Sequence, residues 1–371
     1  FLINSFVYSS APPVDTEFKI TVDTTKAGSA SDTFVLPLQV GTTSMTVYWG
    51  DGNSDLITSY NQAELSHTYA SSGTYQISCD GSFTGTKFLG GDGLKVSSID
   101  NWGSNVWSNT ILSFYGCSNM VGTYTDNPDF SGSTSMLQMF TNCTNFNSPL
   151  VIDTTGVTTM FQMFSGCTNF NSDITFSSTS SVSNMSYMFN ACTNFNKAVN
   201  FDTSNVTTIN NMFYNCTNFD KAVNFNTVKV TNTGRMFMFC SNFNQTINFD
   251  LSACANTTLM FYNCTSFNSP VTFTNTTVLT SHSNTFNGCT IFDQDLSGWN
   301  ISALTSASSM LQGTAFSTTN YDLLLVAWQG QTHNNSVALH AGTAQYSSGA
   351  PATARAGLIT DLWTITDGGA V

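Results

Sequence analysis

Met139-Phe140-Thr141-Asn142-Cys143-Thr144-Asn145-Phe146-Asn147 sets the architecture, because it comes back. The motif returns as Met163-Phe164…Cys167…Phe170-Asn171, Met188-Phe189…Cys192…Phe195-Asn196 and Met212-Phe213…Cys216…Phe219-Asp220. Met236-Phe237…Cys240…Phe243-Asn244 and Met260-Phe261…Cys264…Phe267-Asn268 follow. A looser copy ends at Phe286…Cys289…Phe292-Asp293, and a degenerate first copy is Phe114-Tyr115-Gly116-Cys117. Successive cysteines of these copies lie 26, 24, 25, 24, 24, 24 and 25 residues apart. That period falls in the range of leucine-rich repeats and related solenoids. In these folds one repeat cannot bury its apolar face alone and must stack on its neighbours.

An apolar-x-apolar triplet follows each copy: Leu150-x-Ile152, Ile174-x-Phe176, Val199-x-Phe201, Val223-x-Phe225, Ile247-x-Phe249 and Val271-x-Phe273. Alternation over three residues predicts a short strand with two inward side chains. The middle residues, Val151, Thr175, Asn200, Asn224, Asn248 and Thr272, then face outward. The next column adds Asp202, Asn226 and Asp250. This polar stripe reads either as an asparagine ladder bonded along the stack or as a face for sugar hydroxyls. The candidate ligand-binding residues are Thr175, Asn200, Asp202, Asn224, Asn226, Asn248, Asp250 and Thr272.

Composition narrows the function. Only 8% of the 371 residues are charged, with nine Lys+Arg against 22 Asp+Glu and a net charge of −13. An average soluble chain has about 25% charged residues. Ser, Thr and Asn must therefore make the polar surface. So acidic a chain is unsuited to phosphate backbones, which argues against nucleic acid. No run of 18 apolar residues exists, so no membrane-spanning helix is expected. Eight of the ten cysteines sit at the repeat position and no Cys-x-x-Cys occurs, which leaves zinc without a first shell. Cys143, Cys167, Cys192, Cys216, Cys240, Cys264 and Cys289 read as a structural ladder of free thiols acting as small apolar filler. Three of ten Asn-x-Ser/Thr sequons, Asn142, Asn215 and Asn263, merely restate the repeat.

Five segments follow from the pattern. Residues 1–15 form an apolar arm whose Phe1, Leu2, Ile3, Phe6, Val7 and Tyr8 are candidates for assembly or for packing on the next domain. The chain does not begin with Met, so a leader or a longer upstream segment is expected. Residues 16–88 alternate as short strands, 89–115 cap the first rung, 116–316 carry the repeats, and 317–371 form an α/β second cap. In the last, Asn320 is expected to cap a helix over Tyr321–Trp328, and Pro351 to open another.

Two resemblances add to this. Val47-Tyr48-Trp49-Gly50-Asp51-Gly52, with His67-Thr68-Tyr69 and Gly73-Thr74-Tyr75, resembles the polycystic kidney disease (PKD) domain, which implies an immunoglobulin-like sandwich without catalytic residues. Asp51, Asn53 and Asp55 also place oxygen ligands at alternate positions, which suits calcium; a solvated hairpin turn is the alternative. The repeats, with Thr203-Ser204-Asn205-Val206-Thr207 and Phe292-Asp293-Gln294-Asp295-Leu296-Ser297-Gly298-Trp299-Asn300, resemble the BspA-like leucine-rich-repeat surface proteins. That resemblance implies a curved parallel-sheet solenoid displayed on a surface for adhesion; similar repeats occur in phage and other virion proteins. The copies here carry Phe where many members have Leu or Trp.

The expected fold is mainly β: an N-terminal immunoglobulin-like sandwich, then a parallel solenoid of about eight rungs with a small α/β cap. The expected function is non-enzymatic recognition or adhesion at a cell or virion surface, extracellular and without cofactor. Partners would be a host-surface glycan or protein, or further subunits in a homo-oligomer or larger assembly. A structural subunit of a fibre, coat or filament is the alternative. A polysaccharide-cleaving enzyme is another, with Asp202 and Asp250 as the carboxylate pair that such chemistry needs.

Overall fold

The computed structural model describes residues 15–371. The candidate arm residues Phe1, Leu2, Ile3, Phe6, Val7 and Tyr8 lie outside the described residues.

The N-terminal head is built on one sheet. Its strands are β1 (Phe18–Asp23), β3 (Thr43–Tyr48), β4 (Ser54–Ile57), β6 (Thr74–Phe83), β7 (Val96–Asn101) and β8 (Val121–Gly122), in the order β4-β3-β6-β1-β7-β8. Strands β2 (Thr33–Val35) and β5 (Ser66–Thr68) form a separate antiparallel pair. The alternation in Phe18-Lys19-Ile20-Thr21-Val22 is realised, with Phe18, Ile20 and Val22 fully buried. Gly50 and Gly52 take positive φ in the β3–β4 hairpin, where other residues would be strained. Strand β7 pairs antiparallel with β1 and parallel with β8, so a single sheet runs from the head into the first repeat. The indoles of Trp102 and Trp107 fill this junction, Trp102 edge to face with Phe114 and Phe130, and Trp107 edge to face with Phe130 and tilted against Phe114.

A buried ion pair staples the head. Lys95 Nζ donates to Ser29 Oγ and to the carbonyls of Ser29, Ala30 and Thr33 at 2.7–3.1 Å. Asp92 lies 3.8 Å from that ammonium and accepts from Ser29 N, Ser29 Oγ and Val35 N. Both side chains are removed from solvent. Nothing in the periodicity of the sequence pointed to this network.

The repeats stack into a parallel solenoid of about 11 turns. The stack thus reaches beyond the motif copies into both caps. The motif phenylalanines make two parallel columns. In the first, Phe140, Phe164, Phe189, Phe213, Phe237, Phe261 and Phe286 stand 5.5–5.8 Å apart with their ring planes nearly parallel. In the second, Phe146 to Phe292 stand 5.8–6.0 Å apart. Each Phe of the first column touches its rung-mate in the second at 4.0–4.8 Å. Every one of these rings is buried. Burial of one such ring contributes roughly 1.5–3 kcal/mol, and the offset contacts add to it.

Few regular strands hold this stack. Strand β9 (Leu150–Ile152) pairs with β10 (Ile174–Phe176), and β11 (Ile247–Asp250) with β12 (Val271–Thr274), all in parallel. The expected strands at Val199–Phe201 and Val223–Phe225 do not form, although Val199, Val223 and Phe225 still point inward. On the other wall the Phe N–H of each motif donates to the next rung at about 2.9 Å, as from Phe140 to Met163 and from Phe213 to Met236.

The repeats end in β13 (Ser306–Ala307), which pairs in parallel with β14 (Ala338–His340) of the second cap; the cap also holds α1 (Thr318–Gln329), α2 (Ala350–Thr360) and β15 (Thr364–Thr366). The N-cap of α1 is Ser317, whose Oγ accepts from Asn320 N. Asn320 was the wrong choice because its amide is occupied elsewhere, on Asp293. Pro351 does open α2. Arg355 pairs with Asp367 at 2.6 Å, and Tyr321 donates to the same carboxylate.

Candidate functional site

The repeat motif is wholly structural. Each cysteine Sγ donates to the carbonyl of the column phenylalanine one rung back: Cys143 to Phe114, Cys167 to Phe140, Cys192 to Phe164, Cys216 to Phe189, Cys240 to Phe213, Cys264 to Phe237 and Cys289 to Phe261, at 2.8–3.0 Å. The expected buried ladder of free thiols is present, and each thiol is in addition a weak donor that ties one rung to another. All ten cysteines are free and buried. Burial pushes the ladder thiols well above their ordinary pKa and Cys79 up to about 12. Thiols so held are poor nucleophiles.

The residue before each cysteine explains the sequons. Asn142, Ala191, Asn215, Phe239 and Asn263 have φ of 56–65°, and Gly166 and Gly288 have φ of 77°. A left-handed residue is needed there, and Asn and Gly tolerate it best. The Asn-Cys-Thr triplets therefore follow from backbone geometry.

The polar columns sort themselves by hydrogen bonding. The Asn or Asp that ends each motif accepts the backbone N–H of its successor. Asn147 accepts from Asn171, Asn171 from Asn196, Asn196 from Asp220, Asp220 from Asn244, Asn244 from Asn268 and Asn268 from Asp293, at 2.8–3.0 Å. Only an acceptor oxygen is used, so Asn and Asp interchange. An asparagine ladder does exist, at Asn145, Asn169, Asn194, Asn218 and Asn242, with amide-to-amide distances of 3.3–3.4 Å. It was expected at Asn200, Asn224 and Asn248, but those three side chains are exposed and make no lateral bond among the described residues. The interrupted strands explain this, since open rungs do not hold side chains in register.

Asp202, Asn226 and Asp250 do a different job. Each accepts the N–H two residues on, from Ser204, Val228 and Ser252 respectively, closing a local turn. The same bonds, first from Ser204 and first from Ser252, hold the Asp202 and Asp250 carboxyls below their usual pKa. A glycosidase acid needs the opposite shift.

What remains of the stripe is Thr175, Asn200, Asn224, Asn248 and Thr272. Two openings lie along it, at the places where parallel pairing is lost. One, of about 240 Å³, is lined by Thr175, Phe176, Asn200 and Phe201. The other, of about 260 Å³, is lined by Phe225, Asn226, Asn248, Phe249, Asp250 and Thr272. Phe176 and Phe201 are only partly covered and stand 5.3 Å apart. Sequence reasoning found the polar groups; it missed the aromatic floor between the rungs, because Phe201 counted as core.

In the head, Trp49, His67, Tyr69 and Tyr75 form one aromatic cluster. Trp49 stacks on His67 at 4.8 Å, Tyr69 stacks on Tyr75 at 3.7 Å, and the Tyr69 hydroxyl donates to the Trp49 carbonyl. Asp51 meets His67 Nε2 at 2.9 Å and accepts from Asn53, while Asp55 accepts from the Trp49 indole. Burial pushes the Asp51 carboxyl up, but these bonds outweigh it and leave the pKa lowered. Both Asp51 oxygens and one Asp55 oxygen, proposed for calcium, are thus already in hydrogen bonds, while Asn53 takes part through its nitrogens. Among the described residues no group of three or more His, Cys, Asp and Glu side chains could hold a metal ion, and no helix is long and apolar enough to cross a membrane.

No curated protein and no solved structure matches the chain. One protein family does, at residues 108–224, 197–281 and 248–346. These overlapping matches span the solenoid and take in more than half of the chain. The chain belongs to the family described as "Mycoplasma protein of unknown function, DUF285".

Proposed function

We propose that this protein is a surface-displayed, non-enzymatic recognition or adhesion module of the BspA-like type, with the strand-side stripe as its binding face. The reading rests on one observation: Thr175, Asn200, Asn224, Asn248 and Thr272 are exposed on a rigid stack, while the neighbouring polar columns are consumed by the fold. Free amides beside partly covered phenylalanines suit a saccharide, which offers hydroxyls to one and C–H faces to the other. The head, read as a PKD-like sandwich, would serve as spacer or mount. No cofactor enters this function. A glycan array and a whole-cell binding assay with the intact chain test it. Binding that is lost in Asn200→Ala/Asn224→Ala/Asn248→Ala supports the stripe; no binding of the intact chain to any glycan or cell overturns it.

A fibre or coat subunit is the second reading. It is favoured by an apolar groove of about 540 Å³ across α1 and α2, where Leu323, Val326, Ala327 and Pro351 meet. The apolar segment Phe1–Tyr8 of another copy has the chemistry to fill it. Deleting residues 1–8 would then abolish self-association in sedimentation; unchanged assembly would remove the arm as a joint.

A further inference from the structure

The wall opposite the stripe carries a cleft of about 360 Å³ with Arg235 on its rim. Two features of the sequence open it. Gly234 stands in a column that elsewhere holds Phe161, Ser186, Asn210, Thr258 and Ser283, so one rung lacks the side chain that its neighbours have. Backbone bridging also stops here: it runs Thr159–Asn184–Thr208–Asn232 and resumes at Asn256–Ser281–Ser306.

Donors predominate in the cleft, with the Asn256 Oδ1 and the Thr258 carbonyl as acceptors beside them. Asn232 Oδ1 already accepts from Gly234 N at 2.9 Å, and Asn210 Oδ1 from the hydroxyls of Ser186 and Thr208, both at 2.7 Å. Their Nδ2 groups are therefore left to donate. The amide of Asn256 turns toward Gly234, its Oδ1 3.7 Å from where a Cβ would stand, and has no side-chain partner among the described residues. Arg235 adds five N–H donors in a planar fork. Among the described residues it makes no ion pair, as is also true of Lys87, Lys221 and Lys229, while Lys19, Lys26, Lys95, Lys197 and Arg355 each face a carboxylate; of the unpaired cations, Arg235 is the one that lines this cleft. A cluster of donors around an uncompensated guanidinium, in a chain of net charge −13, selects an acceptor-rich anion. One turn further on, Tyr214, Phe239 and Tyr262 form half-buried edge-to-face pairs at 5.6–5.7 Å, aromatic surface of the kind that sugar rings contact.

We infer that the Gly234–Arg235 cleft is a binding site for a carboxylate-bearing saccharide unit. The guanidinium would take the carboxylate in a bidentate pair, while the Asn210, Asn232 and Asn256 amides would take ring and hydroxyl oxygens. The inference does not rest on the stripe, and the two separate in experiment.

The test is calorimetric titration of the intact chain with galacturonate, galactose and galactose 6-sulfate. Galacturonate should bind at least tenfold more tightly than galactose. Arg235→Gln should remove that preference. It should fold normally, because Gln138 and Gln162 occupy the same left-handed position in earlier rungs with φ of 53° and 55°. Gly234→Asn, which restores the residue of the preceding rung at Asn210, should block binding of all three sugars with an unchanged melting temperature. Equal affinity for galacturonate and galactose, or a preference that survives in Arg235→Gln, overturns the site. Tighter binding of the sulfate than of galacturonate overturns the assignment to carboxylate.

Discussion

The head and the solenoid solve the same problem with opposite chemistry. In the head, long-range cohesion depends on single, unrepeated contacts, of which the buried Asp92–Lys95 network is the most concentrated. In the solenoid the same small set of neutral bonds recurs on every rung: thiol to carbonyl, Asn oxygen to amide N–H, ring on ring. The head therefore has points of failure, while the solenoid spreads its stability over near-equal units coupled to their neighbours. The scarcity of charge in the chain follows, because a repeated buried ion pair would incur a desolvation cost on every rung.

The sharpest way to break this comparison is at Lys95. Lys95→Met leaves the Asp92 carboxylate buried without its cation. Removing one partner of a buried pair costs about 3–5 kcal/mol. Denaturant unfolding should show the head losing stability by that amount. Lys95→Met combined with Asp92→Asn should recover part of it. A loss below about 1 kcal/mol would mean that the head is as distributed as the repeats.

A buried histidine sits inside the solenoid. His282 occupies the column that holds Met136, Met160 and Met185 in earlier rungs, and it is buried beside Trp299 with Nδ1 2.9 Å from Thr257 Oγ1. Burial lowers its pKa to about 3. The unfolded chain has a value near 6.5, so between about 6.5 and 3 the unfolded state binds the proton and the native state does not. Stability must then fall as the pH falls through that window, by roughly 1.4 kcal/mol per unit, and be indifferent to this residue above it. His282→Met should flatten the acid limb of the stability profile measured from pH 7 to 4. A profile unchanged by the substitution would break the assignment.

The legible part of the molecule was the part that repeats. Cysteine spacing and the Met-Phe, Phe-Asn and triplet columns were enough to place the core rings and to predict a parallel stack, because a periodic pattern can be compared with itself. The Asp92–Lys95 pair was not legible, since its partners at Ser29, Ala30 and Thr33 are more than 60 residues away and nothing repeats them. The polar stripe was half legible. Its outward residues follow from strand alternation, but alternation does not say which amides stay free. That depended on the loss of pairing at Val199–Phe201 and Val223–Phe225, whose triplets look as strand-like as the rest. Arg235 escaped notice for a related reason: a single cation has no pattern, and its meaning came from the missing side chain at Gly234.

The ladders themselves can be tested for what they use. Asn196 Oδ1 accepts from Asp220 N at 3.0 Å, and Asp serves the same role at Asp220 and Asp293. Asn196→Ala should cost about 1 kcal/mol, the net worth of one such bond, whereas Asn196→Asp should cost almost nothing. If both cost the same, the amide nitrogen matters and the acceptor account fails.

The smallest expected effect is a gain. Ala191 has φ of 58° at the position before Cys192, where neighbouring rungs have Gly166 and Asn215. An L-residue there bears a strain of about 1–2 kcal/mol, partly offset because glycine would loosen the unfolded chain by about 0.5–1 kcal/mol. Ala191→Gly should therefore stabilise the solenoid by about 0.5–1 kcal/mol, seen as a higher denaturation midpoint with an unchanged slope. Gly166→Ala should do the reverse and more, because a Cβ there meets the Asn142 side-chain oxygen as well as the positive φ of 77°. The pair of substitutions isolates the turn from the stack, since both leave the phenylalanine columns untouched. If Ala191→Gly proves destabilising, the Ala191 methyl contributes more through packing than the backbone loses to strain, and the turn does not set which residues precede the cysteines.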